Sequence, residues 1–384
     1  MNACDIIFSG VIALFAGIFG SGTTMMLPPT PAPTLGPAPT SRSFRMGFTP
    51  WQYEATVAAR DTTYQRIHSH ADIIKQHLSD GIPYQEALDG TAYHPDVENE
   101  INTRLTRTQS GMTVLLAIDS LSGGRDGKPL YWSAGGANAL TEPWLSRPWS
   151  SPEVTTAYIN FALDMIGRFQ PAYFEYGTEV SELILNDLAA YNNEYVPFAQ
   201  AVYTSIKAQH PTLPLLTTIA MKHPTSPEAS LIATHYPSIL PYTDVVGVSV
   251  YPYIFFTHAN KGDPSTLPSD WLSQITAVAG GKPIAVSETG WAAQDTVIPS
   301  FSVNEPSNAQ NQNSFADILL TEANTLGAIF VIWWTVTDFD ALWSNTLGAD
   351  PVARIWRDIG LYDEDQNARP ALTTWDQWLA APLA

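Results

Sequence analysis

Eight short apolar runs, most of them rich in β-branched residues, recur along the chain and alternate with amphipathic stretches. Several runs are apolar on both faces, which is typical of parallel strands covered by helices. The stretches between them include helical patterns at 156–169, 196–209 and 314–325. The predicted strands are 44–48, 71–77, 113–118, 172–177, 215–220, 245–250, 283–287 and 329–334. This alternation predicts an α/β fold, a (β/α)8 TIM barrel that forms a single catalytic domain over residues 44–384.

Two alternatives are open at this point. A doubly wound parallel sheet also alternates strands and helices, but it favours a glycine-rich phosphate turn after the first strand, where this chain has MGFTPWQYE. The second run, DIIKQHL, could instead continue a helix that starts at Thr62. The choice between a barrel and a doubly wound sheet matters more for the function, because in a barrel the reactive groups lie at the C-terminal ends of the strands.

The composition excludes several classes of protein. With 18 Lys+Arg and 37 Asp+Glu the formal charge is −19, which disfavours nucleic acid and anionic membranes as partners. The 12 Trp, 16 Tyr and 15 Phe are too many for a disordered chain. The only cysteine, Cys4, excludes an intrachain disulfide and a cysteine-ligated zinc site. We expect no cofactor.

The first 43 residues differ from the rest of the chain. Residues 6–19 form an apolar run that is shorter than the roughly 20 residues of a membrane span, so residues 1–27 are predicted to be a signal peptide. An uncleaved N-terminal anchor is the alternative, since Asp5 stands where a basic residue is usual. Residues 28–43 are rich in Pro and Thr and are predicted to be an extended linker. The protein is therefore expected to be secreted.

Two predicted strands end in carboxylates that could face one cleft. The fourth runs into FEYGTEVSE, in which period-two alternation places Glu175 and Glu179 on the same face. The seventh runs into VSETGW, where apolar and small residues deliver the lone carboxylate of Glu288. An ordinary ion pair is the alternative role for each of them. We expect Glu175 to be a buried hydrogen-bond partner and Glu182 to begin the following helix, facing solvent or a loop.

Two opposed carboxylates suit the cleavage of a glycosidic bond. One carboxylic acid protonates the leaving oxygen, and an ionised carboxylate attacks or stabilises the oxocarbenium-like centre. Other strand ends offer groups that bind sugars by stacking or hydrogen bonding, although core or rim packing is the alternative for each aromatic. These candidate substrate-binding residues are Trp51, His77, Asp119, Thr178, Tyr251, Trp291, Trp333 and Trp334.

Signals for other chemistries are weak. His68 and His70 have the H-x-H spacing of some metal-dependent hydrolases, but they fall in a helical pattern rather than at a strand end. The segment GGRDGKP lacks the spacing of a phosphate loop and has Pro129 where Ser or Thr is required. We therefore predict no metal ligands.

At these residues the sequence resembles the clan A glycoside hydrolases, retaining enzymes built on a (β/α)8 barrel. FEYGTEV resembles the acid/base motif at the fourth strand, and VSETGW resembles the nucleophile motif of the family 17 endo-β-1,3-glucanases. The ending GLYDEDQNARPAL is similar to the last loop and helix of many members of the clan, and the general layout resembles the family 53 β-1,4-galactanases.

The resemblance implies a role for each matching residue. Glu179 would be the acid/base, Glu288 the nucleophile and Tyr251 its hydrogen-bond partner, with Trp333 or Trp334 as the sugar platform. Thr178 stands where the family usually has an Asn that contacts the sugar 2-hydroxyl, so Glu182 is the alternative acid/base. The implied function is a double-displacement hydrolase acting, as an endo-enzyme, on a neutral β-linked polysaccharide or oligosaccharide. A non-catalytic carbohydrate-binding barrel is the alternative function.

Overall fold

The computed structural model describes residues 39–256 and 260–384. The predicted leader and most of the predicted linker lie outside the described residues. Near the start of the described residues, Arg42 is buried and donates from its backbone N–H to the carbonyl of Pro382 (3.0 Å). Its guanidinium also forms an ion pair with Asp72. Among the helices of the described part of the chain, none has the length and apolarity that crossing a bilayer requires.

Eight parallel strands close into a barrel in which each strand lies between its sequence neighbours, and the last pairs with the first. They are β1 (Arg45–Phe48), β2 (Ile73–Leu78), β3 (Thr113–Ile118), β4 (Tyr173–Gly177), β5 (Leu215–Ala220), β6 (Val245–Val250), β7 (Ile284–Thr289) and β8 (Phe330–Trp333). Each corresponds to one of the eight predicted runs. The (β/α)8 barrel is confirmed, and the doubly wound sheet is wrong.

Helices cover the outside of the barrel. Thr56 caps the first of them, and that helix ends at His70, so the second predicted strand does not continue it. Ser151 caps the helix that leads to β4 by accepting from the N–H of Val154 (3.3 Å). The α-helices are Val57–His70, Tyr84–Asp89, Pro95–Arg107, Pro152–Phe169, Val180–Asn186, Leu188–Ala190, Val196–Gln209, Pro227–His235, Pro252–Phe255, Ile275–Ala279, Ala309–Thr325, Asp340–Asn345 and Pro370–Ala380. Two hairpins lie outside the barrel, at Tyr131–Ser133 with Gly136–Asn138 and at Thr296–Ile298 with Val303–Glu305.

The interior of the barrel changes from apolar to polar toward its C-terminal end. Its lower layer is an apolar cluster that includes Leu115, Leu216 and Phe330. Above it lies a polar layer in which Lys75 and Glu175 have no exposed surface. Burying two charges is unfavourable unless they are paired, so the polar groups of this layer must form ion pairs and hydrogen bonds with one another.

Both strands that carry the predicted carboxylates contain one extra residue. On β7, Val286 pairs with Val248 and Glu288 pairs with Ser249, so one additional residue, Ser287, lies between two consecutive positions of β6. The same irregularity occurs on β4 opposite β5. Such bulges break the strict alternation of side chains and re-aim them, often beside active sites. They allow consecutive residues at the end of β7 to face the barrel axis.

Candidate active site

Glu288, at the end of β7, lies in a cleft at the C-terminal mouth of the barrel. Its Oε1 accepts a hydrogen bond of 2.8 Å from the hydroxyl of Tyr251, and its Oε2 lies 4.0 Å from the Nζ of Lys75. Burial raises the pKa of Glu288 above its ordinary value, although the charge of Lys75 opposes the shift. The negative charge of Glu179 raises that pKa further, which places the two carboxylates within electrostatic reach of each other.

Glu179 lines the same cleft from the end of β4. Its backbone has left strand geometry, with φ +53° in the left-handed region, and its N–H donates to the hydroxyl of Thr218 (2.7 Å). The Nε of Arg125 donates to Oε2 of Glu179 at 3.0 Å. Arg125 is itself in the left-handed region at φ +58°. Strained non-glycine backbone at both members of one ion pair is typical of a functional site.

Arg125 connects Glu179 to a second buried carboxylate. Its Nη1 lies 3.2 Å from Oδ2 of Asp119, whose Oδ1 is 2.9 Å from the Nε2 of His77. Burial alone would raise the pKa of Asp119, but Arg125 and His77 outweigh it and hold that pKa well below its usual range. Asp119 is therefore ionised, and Arg125 lies between the carboxyl groups of Asp119 and Glu179.

Glu182 is placed differently from the prediction. It belongs to the helix Val180–Asn186, but it is buried, lines the cleft and forms an ion pair of 2.8 Å with Lys222. The expectation that it faces solvent or a loop is wrong, because the short helix turns this residue back over the barrel mouth. Burial raises the pKa of Glu182, although Lys222 opposes the shift.

Glu175 lies beneath the cleft rather than in it. The Nζ of Lys75 is 3.2 Å from Oε2 of Glu175, and the hydroxyl of Ser287 also donates to that oxygen. The hydroxyl of Thr178 donates to Oε1 at 2.9 Å. The expected hydrogen-bonding role of Glu175 agrees with these contacts, but its carboxylate does not reach the barrel mouth. Thr178 is buried in the same network, so it does not line the cleft.

One side of the cleft is aromatic. The ring centroids of Trp51 and Trp334 are 5.3 Å apart, and those of Trp334 and Trp356 are 5.7 Å apart. Trp356 also packs edge-on against Tyr251, with 5.9 Å between the ring centroids. All four residues line the cleft beside Glu288. Aromatic faces of this kind provide flat apolar surface next to the polar groups.

Two predicted tryptophans lie elsewhere. Trp333 has no exposed surface, donates its indole N–H to the carbonyl of Ile359 (2.7 Å) and packs against Phe315 in the core. Trp291 is equally buried and packs against Phe315 from the other side. The prediction that they bind substrate is therefore corrected: their neighbours come from distant segments, and neither residue lines the cleft.

The residues of the site that were not among the predicted ones include Lys75, Arg125, Lys222 and Trp356. A lysine in the middle of a predicted strand was a usable signal, although Lys75 is followed there by the polar residues Gln76 and His77. Arg125 and Trp356 lie in loops, where no periodicity marks the direction of a side chain.

One acidic group outside the cleft comes close enough to hold a metal ion, formed by Asp338, Asp340 and Glu364. Its oxygens already face arginines, since Arg357 lies 3.0 Å from Asp340 and Arg369 lies 2.5 Å from Asp338. Because these contacts form an ion-pair network, we propose no metal ion at this group.

No protein-family model and no curated protein sequence matches the chain. Solved structures do match it in fold. An exo-β-1,4-mannosidase from Opitutaceae bacterium strain TAV5 aligns with a TM-score of 0.60 at 12% identity, covering 89% of this chain and 60% of that chain. The GH53 catalytic domain of Ignisphaera aggregans aligns with 0.54 at 16% identity, covering 91% and 98%. Xylanase 10B from Thermotoga maritima aligns with 0.57 at 12% identity, covering 88% and 95%. These likenesses show that the chain shares the (β/α)8 fold of those three proteins.

Proposed function

We propose that this protein is a retaining β-glycosidase in which Glu288 is the nucleophile and Glu179 the acid/base. The observation that carries the proposal is that these two residues, far apart in sequence, line one aromatic-sided cleft and interact electrostatically. Tyr251, which donates to one oxygen of Glu288, would fix the orientation of the attacking oxygen. The glycosidase names of the solved structures with the same fold are consistent with this function.

The proposed reaction has two displacements. A carboxylate oxygen of Glu288 attacks the anomeric carbon, and the bond to the leaving oxygen breaks as Glu179 gives that oxygen its proton. Glu179 then takes a proton from water, whose oxygen attacks the anomeric carbon and releases Glu288. The net result is hydrolysis with the β configuration retained.

The ion pair with Arg125 determines which atom of Glu179 would move the proton. Arg125 contacts Oε2, whereas Oε1 has no partner among the described residues. We therefore assign the proton transfer to Oε1. The same ion pair is what favours the second candidate, a non-catalytic carbohydrate-binding barrel, because Arg125 occupies one oxygen of the proposed acid.

The proposed substrate is a neutral β-linked polysaccharide, cleaved internally. The net charge of −19 would repel an acidic glycan. The test is a panel of β-glucans, β-galactans, β-mannans and polygalacturonate, with sizing of the products and anomer-resolved NMR. We expect one neutral polymer to yield short oligosaccharides whose new ends are first released as the β-anomer. Binding without turnover would favour the second candidate, and α-anomers would contradict retention.

Azide distinguishes Glu179 from Glu182 as the acid/base. In Glu179→Ala, azide occupies the vacated position and attacks the glycosyl-enzyme, so the product is a β-glycosyl azide. We also expect hydrolysis of natural substrate to fall by about 10²- to 10⁴-fold, with a smaller loss for an activated aryl leaving group that needs no acid. In Glu182→Ala we expect no glycosyl azide. A β-azide formed by Glu182→Ala and not by Glu179→Ala would move the role to Glu182.

The raised pKa of Glu288 predicts the acidic limb of the pH profile. The ionised form attacks, so kcat/KM should fall as the pH drops through a value above the ordinary 4.5. The hydrogen bond from Tyr251 lowers this pKa, so Tyr251→Phe should move the limb to still higher pH. The measurement is kcat/KM between pH 3 and pH 9 for both proteins. A limb that moves downward in Tyr251→Phe would contradict the assignment of Glu288.

A further inference from the structure

We propose that Asp80 and Arg104 form a second sugar-binding subsite, in which Asp80 accepts hydrogen bonds from hydroxyl groups of a neutral sugar and Arg104 donates to them. This inference rests on the proposed function and deepens it. Both residues line the cleft that contains Glu179 and Glu288. They lie on the side of the cleft formed by β2 and β3. Pro129, Leu130 and Ala137 also line the cleft and provide apolar surface there.

Asp80 differs from the other carboxylates of the cleft. Each of the others is held by a cation, a tyrosine hydroxyl or both, as described above for Asp119, Glu179, Glu182 and Glu288. Within residues 39–256 and 260–384, Asp80 has no hydrogen-bond or ion-pair partner. Asp80 is half-buried, so without a partner its carboxylate is less well solvated than one on the open surface. Its two oxygens are therefore available to a ligand that brings hydroxyl donors.

Arg104 provides the complementary donor. Its Nε donates to Glu100 at 2.8 Å, and its Nη1 makes a long contact of 3.5 Å with Gln76. Its Nη2 has no partner in the part of the chain that the structure describes. Arg104 acts electrostatically on Asp80 without forming an ion pair with it. In the subsite, a hydroxyl group of the ligand would accept from Arg104 and donate to Asp80.

The loop that carries Asp80 is fixed in place. Gly81 has φ +115°, and a Cβ there would lie 2.1 Å from the carbonyl oxygen of Leu130, so this close approach requires glycine. The N–H of Ile82 donates to that carbonyl at 3.0 Å, and Trp132 donates back to Ile82 at 3.1 Å. These bonds tie the loop after β2 to the hairpin above it. Asp80 is thus held before a ligand arrives, which reduces the entropy lost on binding.

Asp80 and Arg104 together suit a neutral ligand with several hydroxyl groups. A carboxylate on the substrate would meet the unpaired charge of Asp80, whereas a hydroxyl pair can use both the acceptor and the donor. Burial raises the pKa of Asp80 to about 6, and Arg104 opposes the shift. The other charged or titratable groups that act on it are Glu100 on the same helix as Arg104, His77 on β2 and Arg60 on the first helix. Above this pH Asp80 accepts at both oxygens, and below it one acceptor is lost.

The test measures how Asp80→Ala changes hydrolysis of the oligosaccharide series made from the polymer that the enzyme cleaves. Loss of hydrogen bonds to a charged acceptor should raise KM by about 10- to 100-fold for substrates long enough to reach the subsite, with kcat nearly unchanged. The shortest cleaved substrate should not respond. The wild-type KM for the long substrates should also rise below about pH 6, and Asp80→Asn should remove that rise. Asp89→Asn is the matched control, because Asp89 is exposed and lies outside the cleft.

Calorimetric binding of the same oligosaccharides to Glu288→Gln separates this inference from the proposed function. If oligosaccharides bind but the wild type does not cleave them, the proposed function fails. A weaker affinity in the double variant Glu288→Gln/Asp80→Ala than in Glu288→Gln would then still support the subsite. If the wild type cleaves its substrates and Asp80→Ala leaves KM and the dissociation constant unchanged at every length, the subsite is overturned while the glycosidase function stands.

Discussion

Glu288→Gln is expected to lower kcat on the polysaccharide by on the order of 10⁴-fold or more, because an amide cannot form the glycosyl-enzyme intermediate. The fold should not be the cause of this loss. Burial raises the pKa of Glu288, so the folded state favours the uncharged group, and the ionised carboxylate destabilises the protein at neutral pH. The glutamine variant should therefore unfold at the same temperature as the wild type or at a higher one. Turnover and thermal unfolding at pH 7 measure the two effects together.

A small anion should restore the lost step in a smaller variant. In Glu288→Gly, azide fills the vacated space and displaces the leaving group once, so the product should be the α-glycosyl azide, the opposite anomer from that expected with Glu179→Ala. Glu228→Gln is the matched control, since Glu228 is an exposed residue of a helix remote from the cleft. Near-normal activity in Glu288→Gln, or a β-azide from Glu288→Gly, would remove Glu288 from the nucleophile role.

Lys75→Met should destabilise the protein by about 3–5 kcal/mol, the second large effect that we expect. Lys75 has no exposed surface, and its Nζ contacts Glu175 at 3.2 Å together with the carbonyl and hydroxyl oxygens of Ser287. Methionine fills a similar volume but leaves Glu175 as an uncompensated charge inside the barrel. Urea-induced unfolding followed by tryptophan fluorescence provides the measurement.

The double variant Lys75→Met with Glu175→Gln should recover much of the lost stability, because it removes the second charge along with the first. Lys282→Met is the control, since Lys282 forms no ion pair among the described residues and should change stability by less than about 0.5 kcal/mol. If Lys75→Met alone unfolds within that range of the wild type, the buried ion pair does not hold the centre of the barrel.

The strands could be predicted because each one is buried on both faces by this fold. Runs such as Thr113–Ile118 and Val245–Val250 are apolar at nearly every position, and their observed bounds equal the predicted ones. Lys75 lies instead in β2, where it is followed by the polar residues Gln76 and His77. Its partner Glu175 lies a hundred residues further along the chain, so no local pattern announces the pair.

Side-chain directions at the strand ends were less predictable. Alternation cannot be continued past Gly177, because Glu179 enters the left-handed region and starts a helix, which is why Glu182 faces the cleft. The adjacent tryptophans of β8 show the opposite case. Adjacent residues at a strand end point to different sides, and only packing against Phe315 from a distant helix decides that Trp333 lies in the core while Trp334 lines the cleft.

Because β7 contains one extra residue, different residues of this strand end support the stability of the barrel and its proposed catalysis. Ser287 serves the polar layer and Glu288 serves the cleft, although they are neighbours in the chain. Divergence by substitution at position 288 would leave the supporting layer intact, so such a barrel could lose or exchange its chemistry without unfolding. Deletion of one residue there would bring the carboxylate into the place of the serine. This strand end should therefore tolerate substitutions but not deletions.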